Sequence, residues 1–240
     1  AKKYGEPRRT SIVYGHEIEP FDEEESVEEY PVHVFLSREG YLKKITPLSL
    51  RMSGEQKYKE GDGPRQAFET TSHAEIMFFT DRQQVYKTRL SEFEDTKASV
   101  LGEYLPAKLG MDAGENVIFA ALPGKDYAGT LLFFFENGKA ARVEMKSYQT
   151  ASNRRKLTGA YSDKSPLVCI RRIDEECETT RTTQGVAVMN LKPRYHLEEV
   201  KTLGETSIVN QGRYRVRAVP AAGALVREED SGEEQMNLLD

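Results

Sequence analysis

Apolar side chains in this chain occur in short runs bounded by polar turn residues. Residues 32–36 (VHVFL), 75–79 (EIMFF) and 130–135 (TLLFFF) are apolar, β-branched or aromatic. Runs of that length and composition predict strands. No window long enough for a stable helix carries a sustained helical stripe. Only residues 1–10 (AKKYGEPRRT) and the neighbourhood of residues 90–101 offer a helical turn or two. The 18 glycines and 10 prolines punctuate the chain at intervals that suit an array of strands. The predicted fold class is all-β.

Three segments align with one another: VFLSREGYLKKITPLSL (34–50), MFFTDRQQVYKTRLSEF (77–93) and LFFFENGKAARVEMKSY (132–148), at offsets of 43 and 55 residues. Each opens with three mostly apolar residues and turns tightly. A second strand bearing basic side chains follows, and each segment leaves through Leu50, Phe93 or Tyr148. Gly40 and Gly138 share the turn position, where positive φ is cheap for glycine, and Gln83 stands there in the middle copy. Lys43, Tyr86 and Ala141 match one another, as do Lys44, Lys87 and Arg142. A repeat of this period with one hairpin per unit predicts a propeller-like array of blades. Three unrelated hairpins in a sandwich are the alternative, and the matching exits argue against it.

Charge sharpens the picture. The chain has 240 residues, 34 basic against 39 acidic side chains, and a net charge of -5, which by itself argues mildly against a nucleic-acid partner. The distribution is uneven. Residues 1–30 hold four basic and nine acidic groups and residues 227–240 one basic and six acidic, which leaves 29 basic and 24 acidic in the body between them. A mildly basic body therefore lies between two acidic segments that read as solvated. The acidic tail either serves solubility or competes with a polyanion for the body. The longest apolar runs, 117–122 and 131–135, are far short of the roughly 20 residues of a membrane helix. No basic-then-apolar signal opens the chain, and two cysteines, Cys169 and Cys177, form no disulfide framework, so a cytoplasmic setting is expected.

The residues then carry a resemblance. KKYGEPRRTSI (2–12) resembles the end of the coiled-coil tower in the A subunit of bacterial type IIA DNA topoisomerases, gyrase and topoisomerase IV. VHVFLSREGYLKKITPLSL (32–50) is similar to the first blade of that family's C-terminal β-pinwheel. ETTRTTQGVAVMNLK (178–192) resembles the arm leading into a later blade. The resemblance spans residues 2 to about 226 and implies a β-pinwheel of about six blades. Residues 1–30 would end the tower and form a linker, residues 31–226 the DNA-binding pinwheel, and residues 227–240 an acidic tail. It also implies a bacterial, nucleoid-associated protein that works with the rest of the A subunit and with an ATPase B subunit. ATP and Mg²⁺ would be used elsewhere in the parent enzyme, with no cofactor on this chain.

Three departures qualify it. Gyrase carries a Gln-Arg-Arg-Gly-Gly-Lys-Gly box after its first blade, where this chain reads RMSGEQKYKEGDG (51–63). Strong wrapping of DNA is therefore not expected, and the chain stands nearer topoisomerase IV or a divergent A subunit. After VCIRRIDEECE (168–178) a further hairpin is expected, yet the sequence runs straight into Thr179. Either that hairpin has been lost or a segment of the blade is missing at this point; the second is preferred, because a blade lacking its inner strands exposes its neighbours' edges. The small excess of positive charge in the body is the third departure.

No catalytic apparatus is legible. Arg194-Tyr195 and Arg213-Tyr214 repeat the family's Arg-Tyr nucleophile dipeptide outside any winged-helix context. His16, His33, His73 and His196 and the two cysteines lack metal-ligand spacing, and Cys169 reads as a buried small hydrophobe. DEEES (22–26) reads as solvated linker. EGDGPR (60–65) lacks the Lys-Ser/Thr of a phosphate loop. What remains is polyanion binding, in which Lys and Arg neutralise phosphates without reading sequence. The candidates are Lys43, Lys44, Lys87, Arg89, Lys139 and Arg142 from the repeated second strands, with Lys57, Lys59, Lys97, Arg154, Arg155, Lys156 and Arg181 from the connecting arms. The cluster NRRK (153–156) is the densest. The leading expectation is a non-catalytic domain that binds and bends duplex DNA during ATP-dependent topology change. The alternative is a propeller-like protein-interaction scaffold with weak or no DNA binding. A glycan-processing propeller enzyme is disfavoured, since no paired carboxylates fall on the repeated turns.

Overall fold

The three aligned segments fold as antiparallel hairpins in a common register. In this computed structural model residues 28–150, 155–173, 181 and 183–232 are described. The chain divides into residues 1–30, described only at Glu28–Tyr30, and a unit spanning Pro31–Asp240. The tower-like segment 2–12 thus lies outside the described residues. The hairpins are β1 (Pro31–Ser37) with β2 (Tyr41–Ile45), β4 (Glu75–Thr80) with β5 (Gln84–Arg89), and β8 (Thr130–Phe135) with β9 (Lys139–Glu144). Phe35 pairs with Lys43, Phe78 with Tyr86 and Phe133 with Ala141, so equivalent residues of the repeat occupy equivalent rungs. At the turns Gly40 has φ +85°, Gly138 +72° and Gln83 +54°. The turn geometry therefore persists where glycine is absent.

Each hairpin is completed to four strands in the same way. A strand from later in the sequence pairs with its first strand: β3 (Pro64–Thr71), β7 (Val117–Ala121) and β11 (Leu167–Ile173). Its second strand is covered by a strand from farther along the chain: β6 (Glu103–Tyr104), β10 (Lys156–Thr158) or β12 (Val186–Ala187). The sheet orders are β3-β1-β2-β6, β7-β4-β5-β10 and β11-β8-β9-β12. In the first two cases the covering strand arrives only after the next hairpin has been laid down. The chain thereby ties each sheet to its successor.

The described residues hold three such sheets, where about six blades are expected from the resemblance. By the same rule a fourth hairpin belongs between β11 and β12. The corresponding intervals in the first two sheets, residues 72–102 and 122–155, contain whole hairpins, whereas residues 174–185 are far too few for one with its exit. Residues 174–180 and 182, where the missing hairpin was expected, lie outside the described residues. Residues 188–232 contribute 3-10 turns and a single bridge, Met189 with Ala221, and no ladder.

Helix is confined to the exits and one connection. After β2, α1 (Pro47–Arg51) starts with Pro47 at its first turn, and the Thr46 hydroxyl accepts from the Ser49 amide at 3.3 Å. The other two exits are 3-10 turns, Leu90–Glu92 and Met145–Tyr148. α2 (Leu105–Leu109) follows β6 and ends on Gly110 in the left-handed region. Two glycines are needed for close approach. A Cβ on Gly102 would lie 2.2 Å from the Leu42 carbonyl oxygen, and one on Gly185 2.3 Å from that of Ala140. Both precede a covering strand and press main chain on main chain.

The core is densest between the second and third sheets. Phe79 stands edge-on to Tyr148 with ring centres 5.2 Å apart and to Phe133 at 6.0 Å, and Phe133 stacks on Tyr161 at 5.4 Å. Such pairs add about 0.5–1.5 kcal/mol each beyond the area they bury. The phenols are satisfied: Tyr148 donates to the Ala160 carbonyl and Tyr161 to that of Thr80, both at 2.7 Å. Cys169, expected to be buried, is half-buried on β11, and burial pushes its thiol up.

Candidate nucleic-acid interface

The second strands β2 and β5 are covered on both faces, and this decides the fate of their basic residues. Successive residues of a strand face opposite ways, so an outward lysine needs one open face. Lys43, Lys44 and Lys87 have only 2%, 4% and 9% of their surface exposed. They were expected on a basic rim; the structure corrects this and places them inside. A buried ammonium must be hydrogen-bonded or paired, and each is. Lys43 Nζ donates to the carbonyls of Lys57 at 2.5 Å and Ala98 at 3.1 Å and to Gln56 Oε1 at 3.3 Å, and lies 5.1 Å above the Tyr58 ring. Burial, and then the charge of Lys57, hold its pKa below the ordinary lysine value.

Lys44 and Lys87, equivalent in the repeat, have an equivalent task. Lys44 Nζ donates to the Leu90 carbonyl, in the exit turn of the next hairpin, at 3.1 Å and pairs with Asp95 at 3.1 Å. Lys87 Nζ reaches the Tyr148 carbonyl, in the exit turn of the hairpin after it, at 3.3 Å, with Thr150 Oγ1 at 3.4 Å, and pairs with Glu75 at 3.2 Å. The Tyr127 ring lies 5.1 Å from Lys87 Nζ. Each lysine fastens its own sheet to the next. Arg142 holds the same register position on β9 and is exposed, where the described residues place no further hairpin. At the neighbouring repeat position Tyr86 is buried and donates to Glu115 Oε2 at 2.8 Å, and Ala141 is simply buried.

The remaining candidates lie on or near the surface. Lys57, Lys59, Arg89, Lys97, Arg142 and Arg155 are exposed, and Lys139 and Lys156 are partly so. Several are engaged by carboxylates. Lys59 pairs with Glu39 at 2.7 Å, which raises its pKa through the hydrogen bond and charge of Glu39. Lys156 pairs with Asp112 at 3.0 Å, its pKa raised first by that bond and then by the Tyr86 hydroxyl. Arg155 meets Glu92 at 3.2 Å. Exposed pairs of this kind are weak, so a phosphate can compete for the cation. Lys57, Lys97 and Lys139 form no salt bridge among the described residues. The Lys57 amide bonds to the Ala98 carbonyl at 2.9 Å, which brings the loop bearing Lys57 and Lys59 alongside Lys97. Arg154 lies outside the described residues. Arg181 is partly buried, its guanidinium 5.9 Å from the Tyr148 ring centre.

Sequence reasoning passed over some exposed cations. Arg82, at the tip of the second hairpin, and Lys164 line one side of a recess of about 420 Å³ with Gln84, Thr158 and Ser162. Arg82 aligns with Glu39 and Asn137 in the repeat and Lys164 lies outside it, so a search for recurring cations selects the buried lysines and misses these two. The tail also differs from expectation at its start. Glu228–Asp230 form a 3-10 turn, and the Asp230 carboxylate, buried, accepts from Asn210 at 2.7 Å and from Arg213 and Tyr214 at 2.6 Å each. Those contacts hold its pKa below the usual carboxylate value. They also account for the Arg213-Tyr214 dipeptide, whose side chains bind the tail. Among the described residues no three His, Cys, Asp or Glu side chains group as metal ligands, and no helix is long and apolar enough to cross a membrane.

No family model matches the chain. In sequence it is similar to the DNA gyrase A subunit of Thermotoga maritima, 28% identical over 163 residues, which is 64% of this chain and 20% of that protein. The DNA gyrase A subunit of Streptococcus pyogenes serotype M1 is 26% identical over 156 residues, 61% of this chain and 19% of the relative. The DNA topoisomerase 4 A subunit of Bacillus subtilis is 26% identical over 152 residues, 62% and 19% of the two chains. The chain thus spans about a fifth of the length of the curated relatives it matches. Among solved structures it resembles the C-terminal domain of DNA topoisomerase IV, with a TM-score of 0.62 and 20% identity, over 72% of this chain and 61% of that one. The resemblance read from the sequence is upheld: the relatives are topoisomerase A subunits, and the fold is the all-β architecture of their C-terminal domain.

Proposed function

We propose that this chain is the DNA-binding, non-catalytic C-terminal part of the A subunit of a type IIA topoisomerase. It holds duplex DNA beside the strand-passing core while a separate subunit hydrolyses ATP with Mg²⁺. The observation that carries the reading is the fold shared with the topoisomerase IV C-terminal domain, reached independently through the hairpin repeat and the comparison of structures. The contacts are made by Lys57, Lys59, Arg89, Lys97, Lys139, Arg142, Arg155 and Lys156, with Arg154 beside them. Among the described residues, three of the thirteen cations expected from sequence are interior, and Lys59, Arg155 and Lys156 are paired with carboxylates. The DNA is therefore bent by a modest set of contacts and is not wrapped tightly. Bending a site of 20–30 bp costs on the order of a few kcal/mol, which several phosphate contacts together offset.

The same burial and pairing favour a second reading, a protein-interaction scaffold that has lost its DNA role. Salt-dependent duplex binding separates the two. For the DNA domain, log affinity falls linearly with log salt, without sequence preference. Replacing Arg154, Arg155 and Lys156 together by Ala flattens the slope by up to about three. A chain ending at Gly232 that shows no duplex binding at low salt would sink the DNA reading and leave the scaffold.

A further inference from the structure

The first-strand partners of the three sheets, β3, β7 and β11, meet at a recess of about 540 Å³. Gln66 on β3 exchanges a reciprocal pair of hydrogen bonds with the Ala120 main chain of β7, at 2.7 and 3.1 Å, which fixes one wall. Three guanidinium groups line the recess: Arg38 from the first hairpin turn, Arg65 from the start of β3 and Arg171 from β11. Arg65 spends Nη1 on the Ile118 carbonyl at 3.0 Å and Nη2 on that of Arg38 at 3.3 Å. Arg171 Nη2 donates to the Val200 carbonyl at 3.0 Å, but its Nε is buried without a hydrogen-bond partner. Buried donors are rarely left so. Arg38 pairs with no carboxylate among the described residues. The acid at the rim, Glu199, is held by Lys201 at 2.8 Å, and Glu205 lies 3.4 Å from Arg171.

We propose that this recess is a binding site for a compact phosphate-bearing anion, with Arg38, Arg65 and Arg171 as its binding groups. Guanidinium forks match phosphate oxygens in pairs, and three of them converge on one recess whose lining includes a single carboxylate, Glu199. Burial, and then the charge of Arg38, hold the Arg65 pKa below the ordinary arginine value, with the Asp62 carboxylate acting against them. The volume falls within the range of about 300–1,000 Å³ typical of small-molecule sites. Ile118, Phe119 and Ile170 supply apolar walls. Residues of β3, β7 and β11 line the recess, and its volume suits a pyrophosphate-sized group. Such a ligand would bridge three sheets and stabilise their assembly by mass action. None of this depends on duplex binding.

The test is calorimetric titration of the full chain with pyrophosphate, at an ionic strength held constant with sodium chloride, beside thermal unfolding of the same samples. Saturable binding of one anion per chain is expected, with a melting temperature that climbs with pyrophosphate and not with chloride. Arg38→Gln, which removes no main-chain contact, weakens the binding about tenfold or more and leaves the melting temperature of the unliganded chain unchanged. Arg65→Gln weakens it similarly. Absence of saturable binding above the chloride control, or unchanged binding in both variants, overturns the proposal. A short duplex is added as competitor: retention of bound pyrophosphate supports a separate small-anion site. Displacement, with Arg38→Gln weakening duplex and pyrophosphate alike, assigns the recess to nucleic-acid phosphates and overturns it. A chain that binds pyrophosphate but no duplex leaves this proposal standing and removes the DNA reading alone.

Discussion

Replacing Lys87 by Ala separates a lysine that holds two sheets together from one that touches DNA. The side chain is 9% exposed, its ammonium pairs with Glu75 at 3.2 Å, and it donates to the Tyr148 carbonyl at 3.3 Å across a sheet boundary. Removing one member of a buried pair costs about 3–5 kcal/mol, because the other charge is left without compensation. Glu75 keeps about a third of its side-chain surface in water, at 32%, so part of that penalty is relieved by solvent. The loss expected is therefore about 2–3 kcal/mol. For a domain of this size that lowers the melting temperature by roughly 4–12 °C. Urea unfolding monitored by circular dichroism measures the loss, and Lys44→Ala should behave in the same way. Lys57→Ala, on the surface, should stay within about 0.5 kcal/mol of the parent chain. Duplex affinity against salt is measured on the same proteins: the slope is unchanged by Lys87→Ala and shallower by about one unit for Lys57→Ala. A Lys87→Ala chain of full stability with a shallower slope would refute the assignment of this lysine to the interior.

Two further outcomes follow from the packing. Gly102→Ala introduces a Cβ 2.2 Å from the Leu42 carbonyl oxygen at a φ of +92°, so β6 must withdraw from β2; a loss above about 2 kcal/mol is expected in denaturant titration, and a neutral substitution would contradict this close approach. Tyr161 is pushed up by burial to about 12, against 10.0 for an ordinary tyrosine. Its neutral form is thus favoured in the folded chain. That stabilisation is fully present below about pH 10, where the unfolded phenol ionises, and is lost as the pH rises from there toward 12. Ultraviolet titration should show late-ionising tyrosines whose release coincides with unfolding, and Tyr161→Phe should make the alkaline fall in stability less steep.

How far the candidate site was legible depends on which residues are asked. Lys44 and Lys87 recur at one repeat position, and the recurrence is real. It records a lysine that fastens one sheet to the next, a role that sequence spacing expresses in the same way as a basic rim. Arg142 shares that position and is exposed, and nothing in the local residues VEMKSY that follow it distinguishes it from the other two. Whether a further hairpin covers it decides the matter. Arg38, Arg65 and Arg171 lie far apart along the chain and at unrelated positions of the repeat. Only the convergence of β3, β7 and β11 brings them to one recess.

The pattern of apolar runs and turns by itself determined the hairpins, their common register and the all-β class, because these depend on near neighbours: alternating strand faces, a turn that tolerates positive φ, and a capped exit. The mildly basic body between acidic ends was equally plain, since charge is additive along a chain. The tertiary structure alone decided which of those charges meet solvent. The loops at 56–58 and 95–98 and the exit turns of the next hairpins close over β2 and β5 and turn their lysines inward. The same long-range ordering leaves the described chain with three sheets, since the span between β11 and β12 is too short to hold another hairpin. Burial is a property of what packs across a strand, and for these residues the partners lie dozens of positions away.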